Sequence, residues 1–373
     1  MLADFLIAAA AAFAASALAC RAVIAAGVWD APTAARKAHR EPTPTSAGLA
    51  IGIGYALGIC ALVYPPVRDW SAEISARAAL HTSIAMAAAF VFLAIGTLDD
   101  LRPVSARVKL LLFALASLAV PIFAMRAEFI PLGAGAVIPL HIVVAVIGSA
   151  LWVFTLVNAV NFMDGANGLA LGSTAIGLVF LGLIAGDAGR MQTAALCFCG
   201  AGAIAGFLVW NFPTGKLFAG DSGALFAGAI AAIGSLLVVR SGLVSPFVPP
   251  ILFFPMLADV LLTLAWRVSH GADVFTGHRE HFYQIGLRSG LSHTQIALRY
   301  WALATGCGVL GFIAARAGRG DIGAPFADPE ALTAIAAILS YAPLAAFIVC
   351  VLVALIASAR IRAFARAQGF RDD

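Results

Sequence analysis

Eleven apolar runs, each close to the length that crosses a bilayer as a helix, recur along this chain with short polar breaks between them. They cover 3–27, 47–66, 77–97, 108–125, 136–157, 168–186, 191–210, 222–239, 247–268, 294–315 and 331–357, and the apolar stretch AEFIPLGAGAVIPL (127–140) between two of them reads as a short surface hairpin. A hydrocarbon core roughly 30 Å thick takes about 20 helical residues to span, and only structures that pair their own backbone groups survive in lipid. Charge decides what covers these runs. Of the 373 residues 11% are charged, against roughly a quarter in a water-soluble domain. So few charges cannot coat one water-facing surface, and the apolar faces must meet lipid. The fold class that follows is all-α: a polytopic integral membrane protein of about eleven transmembrane helices, with 1–373 forming one membrane domain and 358–373 a basic tail.

The basic residues orient the bundle. Connections on one side hold Arg36, Lys37, Arg40, Arg102, Arg107, Lys109, Lys216, Arg267, Arg279, Arg288 and the tail arginines 360, 362, 366 and 371; those on the other hold seven. Fourteen against seven places the first set in the cytoplasm, with the N-terminus outside and the C-terminus inside. The first run carries Asp4 and no basic residue before Arg21, unlike a secretory leader, and reads as a retained helix. The six cysteines lie inside apolar segments without metal-ligand spacing, so neither a disulfide framework nor a zinc site is expected.

Every mixed cluster of acidic, basic and amide residues falls on the cytoplasmic side, in 29–46, 98–109, 158–167, 211–223 and 269–293. Asp99 and Asp100 end one run, with Arg107 and Lys109 close behind; adjacent carboxylates at a membrane surface repel unless a cation or donor compensates them. In NAVNFMDGANG, Asn158 and Asn161 share a helix face, and Asp164 and Asn167 follow at the same spacing. Their amides can donate and accept, as a nucleobase edge, an N-acetyl group or phosphate oxygens require. In NFPTGKLFAGDSG, Asn211 and Lys216 precede Asp221 at a helix start, where backbone N–H groups favour anions and a carboxylate can hold Mg²⁺. The loop around HREHFYQ brings together His278, Arg279 and His281, a set better matched to a diphosphate than to zinc. Upstream, Asp259 lies at membrane depth as either a functional group or a partner for Arg267.

In this order the motifs PTPTSAG (42–48), LDD (98–100), NFMDGANG (161–168), FAGDSG (218–223) and HREH (278–281) resemble one family along nearly the whole chain. It is the polyprenyl-phosphate N-acetylhexosamine-1-phosphate transferase superfamily, with its MraY-type peptidoglycan and WecA-type polysaccharide branches. The resemblance implies transfer of a sugar-1-phosphate from a UDP-N-acetylhexosamine to undecaprenyl phosphate, with release of UMP and with Mg²⁺, or Mn²⁺, as cofactor. It implies catalytic roles for Asp99, Asp100, Asp164 and Asp221, with Asp221 and Asp164 on the metal. For substrate binding it implies Arg40, Thr45, His278 and His281, to which the chemistry of the loops adds Lys109, Asn158, Asn161, Asn167, Asn211 and Arg279. Asn167 stands where the central motif carries a second aspartate, Ala47 precedes Gly48 where two glycines are usual, and HREHFYQ lacks the peptidoglycan branch's run of histidines. The last departure leans toward the polysaccharide branch, O-antigen or other surface glycans, at a bacterial inner membrane.

Membrane lipids are the expected surroundings, nucleic acid is not an expected partner, and a homodimer is compatible with the apolar faces. The reading of another class is a transporter or flippase of lipid-linked sugars. Transporters gather polar groups at the midplane in broken helices, whereas these gather at one boundary.

Overall fold

The computed structural model describes residues 2–26, 29–30, 43–44, 47–63, 76–102, 104–133, 136–240, 242–273, 279–319 and 337–370. Its helices are α1 Leu2–Ala26, α2 Gly48–Val63, α3 Ala76–Leu101, α4 Ala106–Ala119, α5 Ile142–Met163, α6 Leu169–Asp187 and α7 Met191–Asn211. They continue with α8 Gly220–Val239, α9 Val248–Leu252, α10 Phe254–Ser269, α11 Phe282–Arg288, α12 His293–Gly318 and α13 Ala342–Ala367. Among the described residues eight of these segments are long and apolar enough to cross a membrane. The chain is an all-α, multi-pass membrane protein.

Three of the apolar runs fold differently from a simple span. The run 136–157 begins as a strand: Phe129–Gly133 (β3) pairs antiparallel with Ala136–Pro139 (β4), and α5 starts only at Ile142, where His141 Nδ1 accepts the Val143 N–H. The strands β1 Trp29–Asp30 and β2 Thr43–Pro44 form the other small pairing. The run 247–268 divides at Phe253 into α9 and α10, because Pro255 has no N–H to continue the ladder and its ring crowds the preceding turn. The run 108–125 ends in a π turn over Val120–Ala124, which contains Pro121. Residues 331–336 lie outside the described residues, and α13 runs through Ala367, so most of 358–373 is helix rather than an extended tail.

The centre of the bundle is α8, in which every residue from Ser222 to Val239 is buried. Its sequence, GDSGALFAGAIAAIGSLLVV, is apolar all round, as a wholly enclosed helix must be. Its small residues let backbones meet directly: a Cβ on Gly228 would lie 2.8 Å from Val157 Cα of α5. The same device joins α1 to α7, where Cβ atoms on Gly202 and Gly206 would each lie 2.3 Å from a carbonyl oxygen of α1. In lipid, where there is no hydrophobic drive between helices, close packing of small residues supplies much of the association. By contrast α13 keeps Ile348, Val349, Leu352, Val353, Leu355 and Ile356 exposed, which suits lipid. The alternation of helices carries the C-termini of α3, α5, α7 and α10 and the N-termini of α4, α6, α8 and α12 to one end of the bundle, opposite the β3–β4 hairpin.

Candidate active site

Glycines bring α2, α3 and the first turn of α8 into backbone contact. A Cβ on Gly96 would lie 2.5 Å from Ser222 N, and one on Gly48 2.3 Å from Gly223 N. The chain enters α2 already tied here, with Ala47 N donating to Phe218 O at 3.2 Å and Gly48 N to Ala219 O at 3.1 Å. So placed, the end of α3 reaches the start of α8. Asp100 Oδ1 accepts the Asp221 N–H at 2.8 Å, and Oδ2 accepts the Ser222 N–H at 3.2 Å and the Ser222 hydroxyl at 2.6 Å. Gly220 makes the approach possible: its φ is +69°, and a Cβ would sit 2.6 Å from the Asp100 carboxylate. Asp100 therefore caps α8 from a neighbouring helix. The sequence reading left this terminus open to phosphate oxygens. Instead, the anion that two of its N–H groups hold is a side chain of the protein itself.

Asp99, one residue earlier, faces a different partner. Lys109 Nζ, on the first turn of α4, forms ion pairs with Asp99 and, at 2.9 Å, with Asp221 Oδ2, while Val104 N donates to Asp99 Oδ1 at 2.8 Å. Asp164 follows α5 as its C-cap, half-buried, its N–H donated to Asn161 O at 3.2 Å. Burial first, then the negative charges of Asp221 and Asp100, push the Asp164 carboxyl well above its ordinary range. Four carboxylates thus share one region with the Lys109 ammonium. Surplus negative charge from hard oxygen donors is the kind of setting a divalent cation takes, and Asp164 and Asp221 are the carboxylates that the resemblance assigns to it. Among the described residues no group of three His, Cys, Asp or Glu side chains forms a closed metal site.

The asparagines mostly hold the frame. Asn158 is buried and its Nδ2 donates to Phe154 O at 2.7 Å, within its own helix. Asn211 is buried too: Oδ1 accepts the Gly168 N–H at 2.7 Å and Nδ2 donates to Leu217 O at 2.9 Å, joining the α5–α6 turn to the α7–α8 turn. Asn167 adds a second tie between those turns through Nδ2 to Pro213 O at 3.4 Å, and its N–H donates to His293 Nδ1 at 3.3 Å. Asn161 is half-buried beside Asp164, and Lys216 is exposed.

The histidine loop docks on the Asp164 turn. Tyr283 OH donates to Phe162 O at 3.3 Å, and a Cβ on Gly165 would lie 2.2 Å from that hydroxyl. His281 is buried with its ring 6.2 Å from that of Phe162. Arg267 pairs with Glu280 at 2.5 Å and donates to Asp273 O at 2.7 Å, so its carboxylate partner is Glu280, while Asp259 turns to His281. Arg279 is exposed. Arg40, Thr45 and His278 lie outside the described residues. The sequence reading quoted Gly48, Gly220, Ser222, Glu280 and Tyr283 inside its motifs without giving them a role, and it did not single out Gly96, whose only local trace is a small residue within an apolar run.

A family model described as glycosyl transferase family 4 matches residues 82–239, from α3 through α8, a stretch that holds Lys109 and all four aspartates. The probable undecaprenyl-phosphate N-acetylglucosaminyl 1-phosphate transferase of Bacillus subtilis (strain 168) is 28% identical over 287 residues, 74% of this chain and 75% of that protein. The decaprenyl-phosphate N-acetylglucosaminephosphotransferase of Mycobacterium leprae (strain TN) is 30% identical over 288 residues, 70% of this chain and 71% of that protein. A phospho-N-acetylmuramoyl-pentapeptide-transferase of Moorella thermoacetica (strain ATCC 39073 / JCM 9320) is 32% identical over 157 residues, 42% of this chain and 48% of that protein. Motifs, fold and relatives converge: the chain belongs to glycosyl transferase family 4, as a membrane phosphotransferase of the polyprenyl-phosphate sugar-1-phosphate transferase superfamily.

Proposed function

We propose that this protein transfers N-acetylglucosamine-1-phosphate from UDP-N-acetylglucosamine to undecaprenyl phosphate, giving undecaprenyl-diphosphate-N-acetylglucosamine and UMP. The observation that carries the reading is the meeting of Asp99 and Asp221 on Lys109, with Asp164 near enough to feel the charges of Asp221 and Asp100, at one end of a membrane-spanning bundle. A lipid phosphate is confined to the headgroup plane, and the site lies where such a group can reach it.

In this reading an oxygen of the lipid phosphate attacks the β-phosphorus of the UDP-sugar. The bond from that phosphorus to the bridging oxygen breaks, and UMP departs. Attack is direct, because an ionised phosphate monoester is already a competent nucleophile once positioned. Asp100 holds the N–H groups of α8, and Asp99, paired in the free protein with Lys109 and the Val104 N–H, receives the lipid phosphate's proton once that phosphate draws Lys109 away. Lys109 neutralises charge that builds on the phosphoryl oxygens, and Asn161 and His281 border the sugar-nucleotide. When bound by Asp164 and Asp221, Mg²⁺ would supply Lewis-acid stabilisation of the departing phosphate.

The sugar rests on the relatives matched over 71–75% of their length, both named for N-acetylglucosamine, against 48% for the pentapeptide transferase. The site faces the cytoplasm of a bacterial inner membrane, with the N-terminus outside, on the basis of the positive charge on its connections. The step is the first membrane reaction of a surface polysaccharide such as O-antigen. Mass spectrometry of the lipid product, formed from a panel of UDP-N-acetylhexosamines, tests this directly. A product heavier than undecaprenyl phosphate by one N-acetylglucosamine phosphate unit is expected; a product made only from another donor would replace the sugar.

A further inference from the structure

Tyr283 has no part in the reaction above, yet the packing around it ends at Asp164. It is buried in α11, and hydrogen bonds hold it at both ends. At the backbone, its N–H donates to Asp259 Oδ2 at 3.1 Å. Asp259, wholly buried in α10, also accepts the Phe282 N–H at 2.8 Å and the Tyr300 hydroxyl at 2.6 Å. Residues of α10 and α12 thus hold the start of α11. At the far end of the side chain, the phenol O–H donates to Phe162 O at 3.3 Å. The last carbonyls of a helix lack partners within it, and Phe162 is the penultimate residue of α5.

The hydroxyl also fills a space that the chain leaves for it. A Cβ on Gly165 would lie 2.2 Å from the phenol oxygen, whereas the ring Cζ would be 3.1 Å away. Phe162 and Gly165 bracket Asp164, so one phenol meets this turn on both sides of the carboxylate. Burial first, then the charges of Asp259 and Asp164, push the phenol above its ordinary range. It stays protonated and keeps its donor. Asp164 is the C-cap of α5, where the helix ladder no longer fixes the backbone. Asn211 and Asn167 tie down the far half of the turn, through Gly168 N–H and Pro213 O. Tyr283 holds the near half.

We propose that Tyr283 is a positioning residue for Asp164: its hydroxyl fixes the turn that presents this carboxylate to a divalent cation shared with Asp221. The proposal rests on the phosphotransfer reading, and its test separates the two.

Tyr283→Phe removes the oxygen and keeps the ring. With purified full-length protein, kcat for UMP release should fall at least about 10-fold, since small misplacements of reacting groups carry large rate losses. Mn²⁺ binding without substrate, read from the free-ion EPR signal, should weaken about 10-fold, the lower end of the loss when a group that orients metal ligands is removed. An unchanged kcat, or a lower kcat with unchanged Mn²⁺ affinity, would overturn the proposal. Gly165→Ala perturbs the same contact from the other side: its methyl group displaces the hydroxyl, and both losses should recur. Added to Tyr283→Phe, that methyl group meets only the ring and should cost less than about 2-fold more, because residues acting through one contact are not additive. An equal cost with and without Tyr283→Phe contradicts the proposal. If Tyr283→Phe does not fold, unchanged Mn²⁺ affinity in Gly165→Ala overturns it, as does a wild type that binds no Mn²⁺. If the wild type releases UMP from no donor, the phosphotransfer reading fails, and Mn²⁺ binding by the wild type and the variants still decides the role of Tyr283.

Discussion

Asp99 and Asp100 are neighbours in the chain with different partners. Asp100 accepts three hydrogen bonds from the opening turn of α8, while Asp99 meets Lys109 and the Val104 N–H. Exchange of Asp100 for Asn keeps the shape but turns an amide toward donors, so it should lower stability by about 1 kcal/mol, the usual value of a lost cap. Activity should fall with it, because Asp221 sits on the same turn. Exchange of Asp99 for Asn should leave thermal stability near the parent's and cut UMP release by roughly 10²–10⁴-fold, the range of a lost proton acceptor. Parallel melting curves and initial rates for the two variants check this; equal melting losses would contradict the division.

Asp164 carries a further expectation. Its carboxyl is raised by burial and by the charges of Asp221 and Asp100, and a metal binds only the ionised form. Apparent Mg²⁺ affinity should therefore weaken as pH falls through that raised value, and Asp164→Asn should flatten the dependence. Titration of UMP release with Mg²⁺ at several pH values measures it. The motifs located all four aspartates in the sequence. What they could not contain was the partner of Asp100, which lies 121 residues away across a helix contact. Nor could they show that Asn158, Asn167 and Asn211 face backbone carbonyl and N–H groups.

At the scale of elements, the site depends on how closely α2 and α3 approach α8. A methyl group on Gly96 would meet the backbone of Ser222 at 2.5 Å, and backbone cannot swing aside as a side chain can. Gly96→Ala should therefore push α3 off α8, loosen Asp100 from its donors and lower UMP release by at least about 10-fold, since small misplacements of reacting groups carry large rate losses. Membrane insertion should persist, because the span stays apolar; rates against the amount of inserted protein decide. Hydropathy made the spans legible, and α6, α7 and α8 begin and end within two residues of the apolar runs. The surface hairpin expected over 127–140 is the β3–β4 pairing, although the run 136–157 begins inside it, at Val137 and Ile138, and Pro255 breaks another continuous run into α9 and α10. Hydropathy measures preference for lipid, so it does not mark where an apolar strand gives way to an apolar helix.

For the whole molecule, every group assigned to the chemistry lies at the end of the bundle where α8 begins, and the proposed topology, which rests on fourteen basic residues against seven, puts that end in the cytoplasm. Single cysteines introduced at Lys216 and at Arg190, both exposed and at opposite ends of α7, test the orientation once native thiols are blocked. An impermeant maleimide added outside intact cells should label position 190 and spare 216; the reverse pattern would invert the topology.

The central claim is that this end of the bundle joins a sugar-nucleotide to a lipid phosphate, and UMP release by the purified protein tests it most directly. With UDP-N-acetylglucosamine, undecaprenyl phosphate and Mg²⁺ together, UMP should appear, and removal of the lipid or chelation of the metal with EDTA should each stop it. UMP formed equally well without the lipid, or no UMP from folded protein with any UDP-N-acetylhexosamine, would contradict the account.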